Sequence, residues 1–290
     1  MPAPSKAVSC PTAKLERGHR VPNKPPLRVG LAGLGAVGLE VAKRLIAGVP
    51  GLTLAAVAVR DADKARRALP QLGAIPIKPA TSLADDCDVV VECLPPALFR
   101  DVAISAIDKG RIFMPLSVAQ LLENWDLVER AKTKGARILP PTGALIGLDA
   151  VRAAAEGEIR SIKMITRKPP AGLEGAPYLR ERNITLAGLT QPLKVFDGTA
   201  REGARGFPAN VNVAAALSLA GIGPDRTQLE IWADPALTRN THRIEVDADT
   251  ARFSMTIEGV PSENPRTGRI VPLSTVAALR ALVAELKVGT

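Results

Sequence analysis

Histidine is nearly missing from this chain: among 290 residues there are two, His19 and His242. Cysteine is scarce as well, and Cys10, Cys87 and Cys93 form neither a C-x-x-C pair nor an even framework. A disulfide scaffold is therefore excluded, and with so few imidazoles and thiols no metal site is expected. Cys87 and Cys93 flank an apolar strand and read as small buried hydrophobes in a reducing cytoplasm. Aromatic residues make up 3% of the chain, so the stacking platforms of single-strand nucleic-acid binders are missing. The longest apolar run, "VAAALSLAGIG" from Val213, stops at Pro224, well short of the ~20 residues that span a bilayer. No membrane segment is expected.

What is abundant is positive charge, with a net +9. Its location argues against a nucleic-acid surface: residues 1–26 hold Lys6, Lys14, Arg17, Arg20 and Lys24 against Glu16. Nearly half of the excess thus sits in a proline-rich stretch with no apolar h-region, which reads as a disordered basic tail rather than a secretory signal. Beyond it, 46% hydrophobic and 23% charged residues suit a globular protein of one large domain or two ordinary ones.

The folded part opens with "LRVGLAGLGAVGLEVAKRLIAG". Leu27–Ala32 suits a buried strand, and Val37, Val41, Leu45 and Ile46 recur at helical spacing. Between them Gly33, Gly35 and Gly38 form G-x-G-x-x-G in the context that gives the pattern meaning. The first glycine permits a tight turn, the second lets a pyrophosphate approach the backbone, and the third lets helix and strand pack closely. Gly33, Gly35, Ala36, Val37 and Gly38 are the expected cofactor contacts, against a purely structural glycine turn. A second strand, Leu52–Val59, ends in Arg60 and Asp61, about 20 residues on, where a ribose-reading residue belongs. Asp61 suits the ribose hydroxyls of NAD and Arg60 the 2′-phosphate of NADP, so both cofactors are expected to be accepted.

Strand and helix patterns then alternate. "DVVVECLPP" (88–96), "RIFMP" and "ARILP" read as strands, and "ALFRDVAISAIDKG" and "SVAQLLENWDLVERAKTKG" as helices, which is the order of a doubly wound parallel α/β sheet. From residue 158 the pattern changes to longer alternating strands, "EIRSIKMITRK", "TQLEIWAD", "THRIEVDA" and "ARFSMTIEG", with one apolar helix around 210–220. This predicts a Rossmann-type domain over 27–141 plus 273–290, joined by an amphipathic helix in "PLSTVAALRALVAEL". A second α+β domain of mixed sheet, for substrate and dimerisation, is expected over 142–272.

Four separated segments, "PPTGALIGLDAV" (140–151), "TRKPPAGLEGAPY" (166–178), "FPANVNVAAALSLAG" (207–221) and "DPALTRNTHRIEV" (234–246), together with the architecture, resemble the L-aspartate dehydrogenase family. The resemblance implies oxidation of L-aspartate with NAD or NADP to iminoaspartate, which enters NAD biosynthesis or hydrolyses to oxaloacetate and ammonia. It also implies that His242, in an N-x-H motif with Asn240, is the catalytic histidine. Histidine suits the task, since an amine must lose a proton before its carbon yields hydride; a core-edge histidine on strand 240–247 is the competing account.

By the same resemblance Asn212 binds the nicotinamide carboxamide, although an asparagine there also suits capping of the apolar helix. Thr142, Gly143 and Ala144 match a small turn that leaves room for the nicotinamide ring and substrate. Asn240 falls to the substrate side, and Lys168 is a candidate for the substrate carboxylate, against a solvated surface lysine. The chain departs from the family at Ala119, where glycine is frequent, and in "ECLPP" (92–96); both positions border the cleft. Homoserine dehydrogenase and dihydrodipicolinate reductase are the rival enzymes, with lysine-centred sites and no "RNTHRI" arrangement. A non-catalytic NAD(P)-binding sensor is the rival of another class. The expected partner is a small dicarboxylic amino acid, and a homodimer is expected from base rates.

Overall fold

The computed structural model describes residues 25–208, 210–260, 262 and 268–289; the basic tail with His19 and Cys10 lies outside them. In the first half β1 (Leu27–Ala32), α1 (Ala36–Ile46), β2 (Leu52–Ala58), α2 (Ala62–Ala68), α3 (Leu83–Asp86), β3 (Val89–Glu92), α4 (Phe99–Asp108), β4 (Ile112–Pro115), α5 (Ala119–Glu123), α6 (Asp126–Lys134) and β5 (Arg137–Ile138) follow in turn. The strands form one parallel sheet in the order β2-β1-β3-β4-β5. Alternate side chains serve two cores, as the two-residue period of a strand requires. Val89 and Val91 pack with Val41 and Leu45 of α1, whereas Val90 packs with Phe99 and Val102 of α4. Phe99 and Phe113 meet edge to face at 5.7 Å in that second core. Covered on both faces, the sheet can be almost wholly apolar.

The segment 117–135, expected as one helix, is two. Asn124 leaves helical geometry at φ −126°, ψ 48°, and its side chain both donates to the Gln120 carbonyl and accepts from Arg100, which also grips Asp126 at the start of α6. A polar side chain that bonds neighbouring backbone competes with helix continuation.

The second half runs α7 (Leu148–Ala155), β6 (Ile159–Lys168), α8 (Pro177–Glu181), β7 (Leu193–Thr199), α9 (Ala200–Gly206), α10 (Asn212–Ala220), β8 (Thr227–Ala233), β9 (Asn240–Ala248), β10 (Arg252–Gly259) and α11 (Ile270–Ala281). Its sheet is mixed, in the order β10-β9-β6-β8-β7, with β6 and β8 parallel and the other pairs antiparallel. The even-numbered residues of β9, and those of β6 from Ile162 onward, face inward. Ile162, Met164, Ile244 and Val246 give that face an apolar floor under α7 and α10, while Thr166, Lys168, Asn240 and His242 make one end of it polar. The outward face carries ion pairs such as Lys163–Glu230. Helix α11 returns to α1, its Val276 and Leu279 joining the first core. It starts two residues before "PLSTVAALRALVAEL" and ends well before that segment does.

Candidate active site

The carboxyl ends of the parallel strands carry the cofactor side. Gly33, at φ 101°, turns the chain where a Cβ would lie 2.6 Å from the Cys93 carbonyl oxygen. A Cβ on Gly38 would strike the Gly33 carbonyl, so α1 sits directly against the turn. Gly35 differs: a Cβ there meets nothing within 4 Å. It is the N-cap of α1, no side chain satisfies the first amides, and the first turn holds no acidic residue. Open space over bare helix-terminal N–H groups suits a pyrophosphate. The protein therefore fits a dinucleotide at the point where the motif expects one.

Two loops are held to this edge by Glu92. Its buried carboxylate accepts from the Leu94 amide at 2.7 Å and from the Ser117 amide and hydroxyl at 3.1 Å. Burial pushes its pKa up, and these donors oppose the shift. Asn212 crosses between the halves: its Oδ1 accepts from the Ala119 amide at 3.1 Å. It therefore does not cap its own helix, whose N-cap is Val211 without a side-chain bond. With the amide oxygen committed to a donor, the NH₂ group is the one left for a ligand.

Opposite lies the polar end of the second sheet. His242 and Thr166 are register partners on β9 and β6, and His242 Nδ1 lies 3.1 Å from Thr166 Oγ1. Burial, and then the charge of Lys168, pull the His242 pKa down to about 3. Lys168 is 2% exposed, so it is no surface lysine; its Nζ donates to Asn210 Oδ1 at 2.9 Å. Thr142, Gly143, Ala144, Asn240 and His242 line the same cavity of about 510 Å³ as Gly33, Gly35, Ala36, Val37, Lys168 and Asn212. Arg60 and Asp61 lie outside that lining. Arg60 is exposed, and Asp61 Oδ1 caps α2 by accepting from the Lys64 amide at 2.8 Å.

The comparison with known proteins follows the same division. The profile of "Homoserine dehydrogenase, NAD binding domain" matches residues 33–141 and that of "Aspartate dehydrogenase, C-terminal" residues 149–282. An L-aspartate dehydrogenase of Bradyrhizobium diazoefficiens is 56% identical over 91% of this chain and 94% of its own length. The L-aspartate dehydrogenase 3 of Bordetella bronchiseptica is 51% identical over 92% of this chain and 99% of its own. The chain belongs to the L-aspartate dehydrogenase family. The crystal structure of the aspartate dehydrogenase of Thermotoga maritima shares the fold, with a TM-score of 0.70 at 21% identity over 91% of this chain and 99% of that one.

Four residues to which the sequence assigned no role also support the cavity: Ser117 and Asn210 line it, and Glu92 and Thr166 hold Ser117 and His242, which do. Glu92 had a signal, a carboxylate ending an all-valine strand. Thr166, Asn210 and Ser117 had none in sequence, because each acts through a partner 25 to 76 positions away. Among the described residues no group of histidines, cysteines and carboxylates could hold a metal, and no helix is long and apolar enough to cross a membrane.

Proposed function

We propose that this chain is an NAD(P)-dependent L-aspartate dehydrogenase in which His242 is the acid–base residue. The carrying observation is the position of His242, the only histidine among the described residues, in the wall shared by Lys168 and the Gly35 cradle. When bound, the nicotinamide supplies the hydride acceptor. Lys168, steadied by Asn210, pairs with a substrate carboxylate, and Asn240 completes the polar wall. His242 Nε2 takes a proton from the substrate ammonium, which frees the nitrogen lone pair to form the C=N bond as hydride leaves Cα. Aspartate thus loses a hydride and a proton to give protonated iminoaspartate, and water then releases oxaloacetate and ammonium. Reductive amination reverses these steps.

A free-enzyme pKa near 3 leaves His242 neutral and ready to accept. Two substrate carboxylates offset the field of Lys168 and raise its basicity in the complex. Asp61 and Arg60 support use of both cofactors: Oδ2 of the capping Asp61 is still an acceptor for ribose hydroxyls, and Arg60 is a cation for a 2′-phosphate. Residues 27–141 with 273–290 are assigned to the cofactor and 142–272 to substrate and dimerisation. The open, ion-paired outer face of the second sheet supports a homodimer, and the unpaired Cys87 and Cys93 a cytoplasmic setting.

The test is His242→Ala, assayed by aspartate-dependent reduction of NAD and NADP with oxaloacetate and ammonium as counted products. Turnover should fall by about 10² or more with NAD(P)H affinity unchanged. Wild-type turnover in that variant would remove His242 from the chemistry.

A further inference from the structure

We infer that Thr166 is the positioning residue of the reaction, its hydroxyl oxygen accepting the Nδ1–H of His242 and so fixing the tautomer whose Nε2 lone pair faces the cavity. The inference rests on His242 being the acid–base residue. Both side chains are buried, Thr166 at 3% and His242 at 4% exposure, and their register across β6 and β9 places Oγ1 and Nδ1 at hydrogen-bond distance. Since His242 also lines the cavity, Nε2 is the nitrogen left for substrate. A neutral imidazole carries one proton, and if Thr166 donated to Nδ1, that proton would sit on Nε2 and the ring could accept nothing from an ammonium. After proton transfer both ring nitrogens are donors, and Nδ1–H still finds the Thr166 oxygen. One hydroxyl therefore serves the base in oxidation and the acid in the reverse direction without moving.

The cross-strand partners of His242 are both uncharged. On β10 the register partner is Ile257, on β6 it is Thr166, and the charged group acting on the imidazole is Lys168. A carboxylate in the place of Thr166 would favour the imidazolium and raise the pKa of the ring. A neutral hydroxyl orients the ring and leaves its basicity to the bound substrate.

The experiment uses the whole enzyme. With two histidines in the chain, nitrogen-15 NMR of labelled protein resolves both imidazoles, and His242→Ala assigns them. His242 at neutral pH should show a protonated Nδ1 and an unprotonated Nε2; the reverse pattern overturns the inference. Thr166→Val should then shift the tautomer toward Nε2–H. It should lower kcat for aspartate oxidation by at least about tenfold, the loss expected of one hydrogen bond to a group that becomes charged, with KM values within twofold. Thr166→Ser should restore both. If Thr166→Val keeps the tautomer and kcat while His242→Ala is inactive, the positioning role fails and the catalytic histidine stands. If His242→Ala is itself active, the underlying reading fails first.

Discussion

At the scale of a residue, His242 shows what burial does to the histidine proposed as the general base. Its pKa falls from 6.5 to about 3 because the imidazolium would be desolvated and would face Lys168. The unfolded chain therefore binds more protons than the folded one between those values, and stability must rise with pH across that window. Wild type should lose stability relative to His242→Gln as pH falls from about 6.5 toward 3, and the two should run parallel above it. Urea unfolding of both proteins across this range checks the sign, and a gap that stayed constant would show that His242 is not buried neutral. The same shift bears on kinetics. Since kcat/KM reports free enzyme and free substrate, a His242 that is neutral above about pH 3 should leave no histidine ionisation near 6.5 in its pH profile.

At the scale of elements, the turn between β1 and α1 separates two uses of glycine. At Gly35 the backbone, with φ −74°, suits any residue and a Cβ meets open space, so Gly35→Val should fold with nearly unchanged Tm yet lose NAD(P)H fluorescence enhancement. Gly38→Ala should instead lower Tm, because its Cβ runs into the Gly33 carbonyl. Thermal melts beside cofactor titrations check both, and cofactor binding retained in Gly35→Val would contradict the cradle. This turn was legible in sequence because its parts are neighbours in the chain. The strands of the second sheet were legible too, where inward and outward residues alternate, as in β9. Strand β7 was not: in Leu193–Thr199 the two well-buried residues, Val195 and Phe196, are adjacent, so the two-residue period is lost at a register shift. The break at Asn124 escaped for another reason, since it depends on Arg100 from a different helix.

At the scale of the whole molecule, the site exists only where the two sheets meet, and neither half holds it alone. The first sheet contributes bare amides and the loops held by Glu92; the second contributes a polar end to an otherwise apolar face; Asn212 and Ala119 tie them together. The glycine motif named Gly33 and Gly35, and the family resemblance Lys168, Asn212 and His242, among the residues that line this cavity, but neither named the side chains that steady them, whose roles arise from distances between residues far apart in sequence. In the proposed function one buried cation, Lys168, pairs with the second substrate carboxylate. When alanine binds, that cation gains no carboxylate partner, and when glutamate binds, the extra methylene displaces it. The most direct test of the account is kcat/KM for aspartate, glutamate, alanine and homoserine with each cofactor. Aspartate should exceed alanine by at least about 10², with glutamate and homoserine poor; equal values for alanine and aspartate would contradict it.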